Sequence, residues 1–306
     1  TLRLCIFTRT INNMNNCFWY FCSRNQTNFD KSKLRLTHIP KDLSRHEKQL
    51  LHINLQYNQI TSLDESVFRC KKLERLCLND NCLKQIPDQI GELTRLEELY
   101  LSRNNLVGIS NMIELCEKLL YLDLSSNNLK GIPEGVTKIR SLQVLLLNEI
   151  TLSEIPYSIS SLSNLRAFEA RKNYIKSVPE SISFLTQLTR LDLGCNEISS
   201  LPVTIGKMEN LRELWLDSNF LTELPQEIGD LENLDILELS DNLLENLPSR
   251  LCELESLTHL TLTSNPISDF PENIGNLKQL KILKADFNQL KILPDTICDI
   301  KNLTEI

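Results

Sequence analysis

No apolar run in this 306-residue chain approaches the roughly 20 residues that cross a bilayer. The longest, Cys17-Phe18-Trp19-Tyr20-Phe21-Cys22, is shorter even than the ~7–15-residue core of a secretory signal. The expectation is a chain with no transmembrane segment and no secretion signal. Basic charge is also short: 33 Lys and Arg face 40 Asp and Glu, a net −7. Nucleic acid is therefore not expected as a partner, because phosphate neutralisation needs a basic face. Aromatics make up only 6%, which argues against one bulky core and suits thin stacked layers. Eight glycines offer no phosphate-cradling loop, and His38, His46, His52 and His259 show no metal-ligand spacing with the cysteines. No nucleophile is paired with a base, and the carboxylates do not converge on a pocket. The chain is expected to hold no metal and no cofactor and to catalyse nothing.

What is abundant is leucine, and it is periodic. Blocks of the form LxxLxLxxNxL begin at Leu50, Leu73, Leu96, Leu119, Leu142, Leu165, Leu188, Leu211, Leu234, Leu257 and Leu280, each 23 residues after the last. A truncated twelfth opens at Leu303. In the block from Leu211 to Asn233, Leu214 and Leu216 alternate with period two, so both point inward from a short strand. Asn219 then turns the chain, its amide able to bond backbone groups left open at the strand end. The same slot holds Asn58, Asn81, Asn104, Asn127, Asn173, Asn196, Asn242, Asn265 and Asn288, an asparagine ladder. Leu221 and Leu224 fill the next corner, Pro225 starts the return, and Ile228 and Leu231 pack it back onto the strand.

One such layer cannot bury its own apolar side, so neighbours supply the stability. The pattern predicts an α/β solenoid: a leucine-rich-repeat horseshoe with eleven parallel strands on the concave side and irregular or short-helical segments on the convex side. Residues 1–25 precede the repeats, and 26–306 form the repeat domain with a degenerate first layer. In that layer Phe29, Leu34, Leu36, Ile39, Pro40 and Leu43 fit the pattern with one extra residue before Leu50. The start at Thr1 and the stop at Ile306 inside a strand lead us to expect a fragment, with Met14 as the native start. Three departures stand out. Ile150 occupies an asparagine slot and cannot bond the turn, and Asp64 and Ser110 replace the usual proline, which is expected to loosen those two return segments.

The order of the repeats resembles the LAP family of scaffolds, which includes Scribble, Erbin, Densin and Lano. The resemblance runs from about Phe29 to Ile306 and rests on "LCLNDNCLKQIPDQIGEL", "LLLNEITLSEIP", "LTRLDLGCNEISSLP" and "NLRELWLDSNFLTELPQEIGDLENL". The missing asparagine at Ile150 belongs to it, since Scribble-like proteins have a similar "LNDxxLxxLP" turn. Upstream, "MNNCFWYFCSRNQTNFDKS" places Met14, Cys17, Trp19 and Cys22 much as those proteins do, with Cys17 displaced by about one residue. The resemblance implies S-palmitoylation of Cys17 and Cys22, hence peripheral membrane association, where two acyl chains anchor stably and one only marginally. The other reading of these thiols is that they cap the first repeat. The family's role implies a polarity and junction scaffold on the cytoplasmic face of the basolateral plasma membrane. Two alternatives stand: a signalling adaptor similar to the Ras-pathway scaffold Shoc-two, and the repeat segment of a larger kinase, GTPase or phosphatase.

The other cysteines fit the repeat. Cys70 and Cys116 share a core slot, Cys252 and Cys298 share another, and Cys77, Cys82 and Cys195 lie around the concave side. Without a clustered, disulfide-bonded cap, reduced thiols and a cytosolic compartment are expected. Asn25 and Asn302 head chance glycosylation sequons. The concave sheet should expose the residues between the inward leucines: Asn54, Cys77, Tyr100, Asp123, Leu146, Glu169, Asp192, Trp215, Glu238, Thr261 and Lys284. Flanking positions add Arg171, Arg190, Glu213, Asp217, Tyr174 and Phe220. Like charges at Glu169 and Asp192 on adjacent strands repel unless Arg171 and Arg190 relieve them. An exposed Trp among acids marks Glu169 to Glu238 as the expected site for a protein partner with basic and apolar features, because Trp, Tyr and Arg dominate interface hot spots.

Overall fold

The computed structural model describes residues 27–305. The candidate start Met14, the thiols Cys17 and Cys22, the boundary at residue 25 and Ile306 lie outside them. The strands are β1 (Asn28–Asp30), β2 (His52–Asn54), β3 (Arg75–Cys77), β4 (Gln85–Ile86), β5 (Glu98–Tyr100), β6 (Gly108–Ile109) and β7 (Tyr121–Asp123). They continue with β8 (Val144–Leu146), β9 (Ala167–Glu169), β10 (Arg190–Asp192), β11 (Glu213–Trp215), β12 (Ile236–Glu238), β13 (His259–Thr261) and β14 (Ile282–Lys284).

All but β4 and β6 form one parallel sheet of twelve strands, ordered as in the sequence. That is one strand more than the eleven full repeats predict, because the degenerate first layer also pairs. Phe29 is in register with Ile53, 24 residues on, whereas Leu191 pairs with Leu214, 23 residues on. After β14, Ile282 bridges to Glu305 as the next layer begins. The short pair β4–β6 lies between the second and third full repeats. Each return segment is a single 3-10 or α-helical turn, such as Gln226–Asp230 after Pro225.

In the block that opens at Leu211, the inward side chains of Leu211, Leu214, Leu216, Leu221, Ile228 and Leu231 are all fully buried. Their equivalents run in one continuous core from Phe29 to Ile300. Burying one such side chain stabilises by about 1.5–3 kcal/mol, so the stack of layers supplies most of the folding free energy. Layers approach closely enough on the convex side that a Cβ on Gly229 would lie 2.2 Å from the carbonyl oxygen of Arg250. This explains why glycine recurs in that slot at 91, 206, 229 and 275.

The asparagine ladder forms in every expected layer. Asn219 donates Nδ2 to the carbonyls of Leu193 and Leu216 at 3.0 Å each, and its Oδ1 accepts from Ile198 N–H at 3.0 Å. Each amide thus ties its own turn to the preceding layer. A second ladder, which the motif reading passes over, lies before the first leucine of a strand. Asn164, Asn210, Asn233 and Asn302 each donate to a carbonyl 24 residues earlier, all at 2.8 Å.

The departures resolve individually. At Ile150 the chain takes two left-handed residues, Glu149 (φ 58°) and Thr151 (φ 63°), where an ordinary layer takes one. This turns both Ile150 N–H and Leu152 N–H onto Asn173 Oδ1, at 3.1 and 2.9 Å. Leu34, in the asparagine slot of the first layer, does the same: Lys33 and Arg35 are left-handed, and Leu34 and Leu36 both donate to Asn58 Oδ1 at 3.0 Å. The expected loosening at Asp64 and Ser110 is not found. Asp64 Oδ1 accepts from Ser66 N–H at 2.9 Å, and Ser110 Oγ accepts from Met112 N–H at 3.1 Å. Each side chain caps the helical turn that proline would otherwise have started.

Candidate functional site on the concave face

Strand alternation turns the residue on either side of each central leucine to the concave face, in two lanes, and the residue two further on forms a third. Expected exposure fails along much of these lanes. Asn54, Cys77, Asp123, Leu146, Glu169 and Asp192 are buried, and Trp215 and Glu238 are only partly exposed. The cause is lateral packing: neighbouring strands bring equivalent side chains together, and longer ones fold over shorter ones.

From β9 to β11 that packing is ionic. Arg190 donates Nε to Glu169 Oε1 at 2.9 Å, pairs with Glu213, and lies 3.4 Å from Asp192. Arg171 contacts Asp192 at 3.3 Å and reaches Asp217, donating Nη1 to Oδ1 at 2.8 Å and Nη2 to the second oxygen. The like charges at Glu169 and Asp192 are thus bridged by both arginines. Asn148 joins the cluster, donating to Glu169 Oε2 at 3.2 Å and accepting from Arg171 N–H at 2.7 Å.

Charge states follow the surroundings. The bond to Asp217 holds the Arg171 guanidinium above its ordinary range, against its burial and with Asp192 adding to it. Burial works against the Arg190 charge, and Glu169, Glu213 and Asp192 more than offset it. Burial pushes the Asp123 and Asp192 carboxyls up; N–H donors from Ser125 and Gly194 pull them back only in part.

Trp215 does not stand alone on the face. Arg190 lies over its ring, 5.2 Å from the centroid, and its Nε1 donates to Glu213 Oε2 at 3.3 Å. The indole is fixed on one side by a guanidinium that three carboxylates already hold. Glu238, its in-register neighbour on β12, receives Ser240 N–H at 3.0 Å. Asp123 and Asp192 likewise accept from the N–H two residues on, at 3.0 and 3.1 Å. These acids therefore close the strand end as well as charging the face.

Two apolar groups complete the face, and the sequence names only some of their members. Val144, Leu146 and Ala167, with Tyr121 against them, form a small apolar cluster on the concave side, separate from the core. Tyr100 stacks on Tyr121 with ring centroids 4.7 Å apart. Leu146 and Tyr100 are concave positions that the motif marks; Tyr121, Val144 and Ala167 sit in the second lane, which it does not single out. At the strand ends, Tyr174, Phe220 and Leu243 share the slot after the ladder asparagine and are 55%, 53% and 49% exposed.

Among the described residues, no group of three or more His, Cys, Asp or Glu could hold a metal ion, and no helix is long and apolar enough to cross a membrane. Seven cysteines lie there, none in a disulfide; Cys70, Cys77, Cys116 and Cys252 are buried.

Comparison with known proteins agrees with this architecture. A leucine-rich-repeat protein of Leptospira interrogans superposes with a TM-score of 0.84 at 29% identity, over 91% of this chain and 77% of that one. The plant peptide hormone receptor RGFR1, solved in complex with RGF2, matches at 30% identity with a TM-score of 0.72, over 88% of this chain and 48% of the receptor's. Leucine-rich repeat-containing protein 7 of Rattus norvegicus is 38% identical over 68 residues, 22% of this chain and only 5% of that protein's length. The family described as "Leucine rich repeat" matches residues 48–106, and that described as "Leucine-rich repeat region" matches 102–217 and 204–306. With the second of these spanning more than half of its length, and with its parallel sheet and asparagine ladder, the chain belongs to the leucine-rich-repeat family.

Proposed function

We propose that this chain is a non-catalytic scaffold of the LAP type that binds a protein partner on the concave face between Glu169 and Glu238. The observation that carries the reading is the Arg190–Trp215 stack. An aromatic side chain held rigid before binding loses little entropy on contact, and Trp and Arg are the residues that concentrate interface energy. The repeats of this family generally mediate protein interactions, and the similarity to leucine-rich repeat-containing protein 7, a LAP member, supports the finer assignment. On this reading Cys17 and Cys22 carry acyl chains that hold the scaffold at the cytoplasmic face of the plasma membrane, at basolateral junctions, where it organises polarity.

Paired affinity capture from polarised epithelial cells tests the site, with wild type and Trp215→Ala as baits. A protein retained by wild type and depleted at least tenfold on Trp215→Ala is expected, with unchanged far-UV circular dichroism. Equal capture by both baits removes the site. Acyl exchange on wild type and the Cys17→Ser/Cys22→Ser variant tests the anchor; a wild type that carries no thioester-linked acyl group sinks that part.

A further inference from the structure

The apolar row at the strand ends is about half exposed and lies outside the buried core. Its slot elsewhere holds small or polar residues, among them Gln59, Asn105, Asn128 and Gln289. On the layers of β9, β10, β11 and β12 it reads Tyr174, Glu197, Phe220, Leu243. Those are the layers that also carry Arg171, Arg190, Trp215 and Glu238. Large apolar side chains left about half in water, on the same four layers as a prearranged aromatic, mark one contact surface.

We infer that this strand-end rim is the apolar half of the partner site, and that its occupant is a basic amphipathic helix lying along the stack. The inference rests on the concave-face reading above and names the partner's chemistry. The spacing argues for a helix. Adjacent layers are about 4.7–4.9 Å apart, so Phe220 and Leu243 are roughly 5 Å apart along the stack and Tyr174 and Phe220 roughly 10 Å. A helix rises about 1.5 Å per residue, so its positions i, i+7 and i+10 lie at about 0, 10.5 and 15 Å on one stripe, in step with the three side chains. An extended segment repeats same-face side chains every ~6.6–7 Å and falls out of step.

Charge sets the sign of the helix. Glu197 lies between Tyr174 and Phe220, and Asp241 and Glu238 flank Leu243 on the same layers. None of these three acids enters an ion pair among the described residues, whereas the nearby Lys172 is already paired with Glu149 at 2.8 Å. A helix passing over this row meets uncompensated carboxylates beside each apolar contact. Lysine or arginine bordering its apolar stripe answers them, and an acidic border is repelled.

Fluorescence anisotropy with labelled synthetic peptides of about 18 residues tests this, a length near the lower limit for stable helices. The probes are a Leu/Lys peptide with leucines at helical spacing, its scramble with the stripe destroyed, and a Leu/Glu counterpart. The Leu/Lys helix is expected to bind, and Phe220→Ser or Leu243→Ser to weaken it at least tenfold. Val107→Ser, at an exposed apolar residue remote from the row, should leave binding unchanged. The inference is overturned by no binding, by equal binding of the scramble or the Leu/Glu peptide, or by loss on Val107→Ser as large as on Phe220→Ser. If the protein captured through Trp215 is retained by Phe220→Ser, the rim falls and the concave-face reading stands.

Discussion

Arg171 reaches over Gly194 to Asp217, two layers along the stack, and it can do so only because residue 194 has no side chain. A Cβ there would lie 2.1 Å from Arg171 Nη1 and 2.6 Å from Asp217 Oδ1. Gly194→Ala should therefore displace the guanidinium and leave Asp192 and Asp217 without part of their compensation. The side chains of Arg171 and Asp217 are 31% and 14% exposed, so the loss lies between the surface and buried extremes, about 1–2 kcal/mol. Urea unfolding of Gly194→Ala, Arg171→Ala and the double variant measures it. If the two losses simply add, the glycine is not making room for the arginine.

The buried carboxyl of Asp123 predicts a pH effect of definite sign. Burial raises its folded pKa, so the folded state binds the proton more tightly than the unfolded chain does. That contribution favours the fold fully below the ordinary aspartate value of about 3.9 and is lost as pH rises through the folded pKa. Asp123→Asn keeps an oxygen for Ser125 N–H but cannot ionise. Urea midpoints from pH 4 to pH 7.5 should show wild type losing ground to Asp123→Asn as pH rises. A wild type that gains on the variant over that range would reverse the assignment.

Thiol reactivity should follow layer position. Burial pushes Cys70 up to about 11 and Cys116 and Cys252 to about 12. At pH 8 about a thousandth or less of each is thiolate, the nucleophilic form. Cys298, in the slot of Cys252 but on the last described helical turn, is exposed. Iodoacetamide labelling followed by peptide mass spectrometry should modify Cys298 ahead of Cys70, Cys116 and Cys252, and reach those three only in urea. Early labelling of Cys116 would mean that its layer opens locally.

The fold was legible because the strand period and the repeat period are both local properties of the chain. Leu214 and Leu216 announce their strand, and Asn219 its turn, without reference to anything distant. The concave site was less so. That Glu169, Asp192 and Trp215 lie on one face follows from the register, but their burial depends on how far Arg190 and Arg171 extend across neighbouring strands. The absence at Gly194 matters only in three dimensions. The second asparagine ladder, by contrast, was in plain view as multiples of 23 from Asn164 to Asn302. It escaped because that slot is polar in any solenoid, and only the carbonyl 24 residues back gives it a partner.

The sharpest consequence concerns Ile150. An apolar residue in an asparagine slot ought to strand the turn, yet Ile150 N–H and Leu152 N–H share Asn173 Oδ1. Asn173 therefore serves two layers' worth of donors, while its Nδ2 still binds the carbonyls of Leu147 and Ala170 at 2.9 Å each. Asn196, one layer on, accepts only from Ile175 N–H, at 3.1 Å. A buried donor left unpaired costs about 1–3 kcal/mol, so Asn173→Ala should destabilise by roughly that much more than Asn196→Ala. Amide exchange at Ile150 and Leu152 should speed up together in Asn173→Ala and stay slow in Asn196→Ala. What the shared oxygen does not reach is Leu129 N–H, whose equivalents Leu83 and Leu106 bond Asn104 and Asn127 at 3.0 Å. Ile150→Asn supplies that missing acceptor but replaces a fully buried apolar side chain, so the two effects should offset to within about 1–2 kcal/mol. A loss well beyond this in the urea midpoint would show that the doubled left-handed turn, rather than the ladder, is what this layer requires.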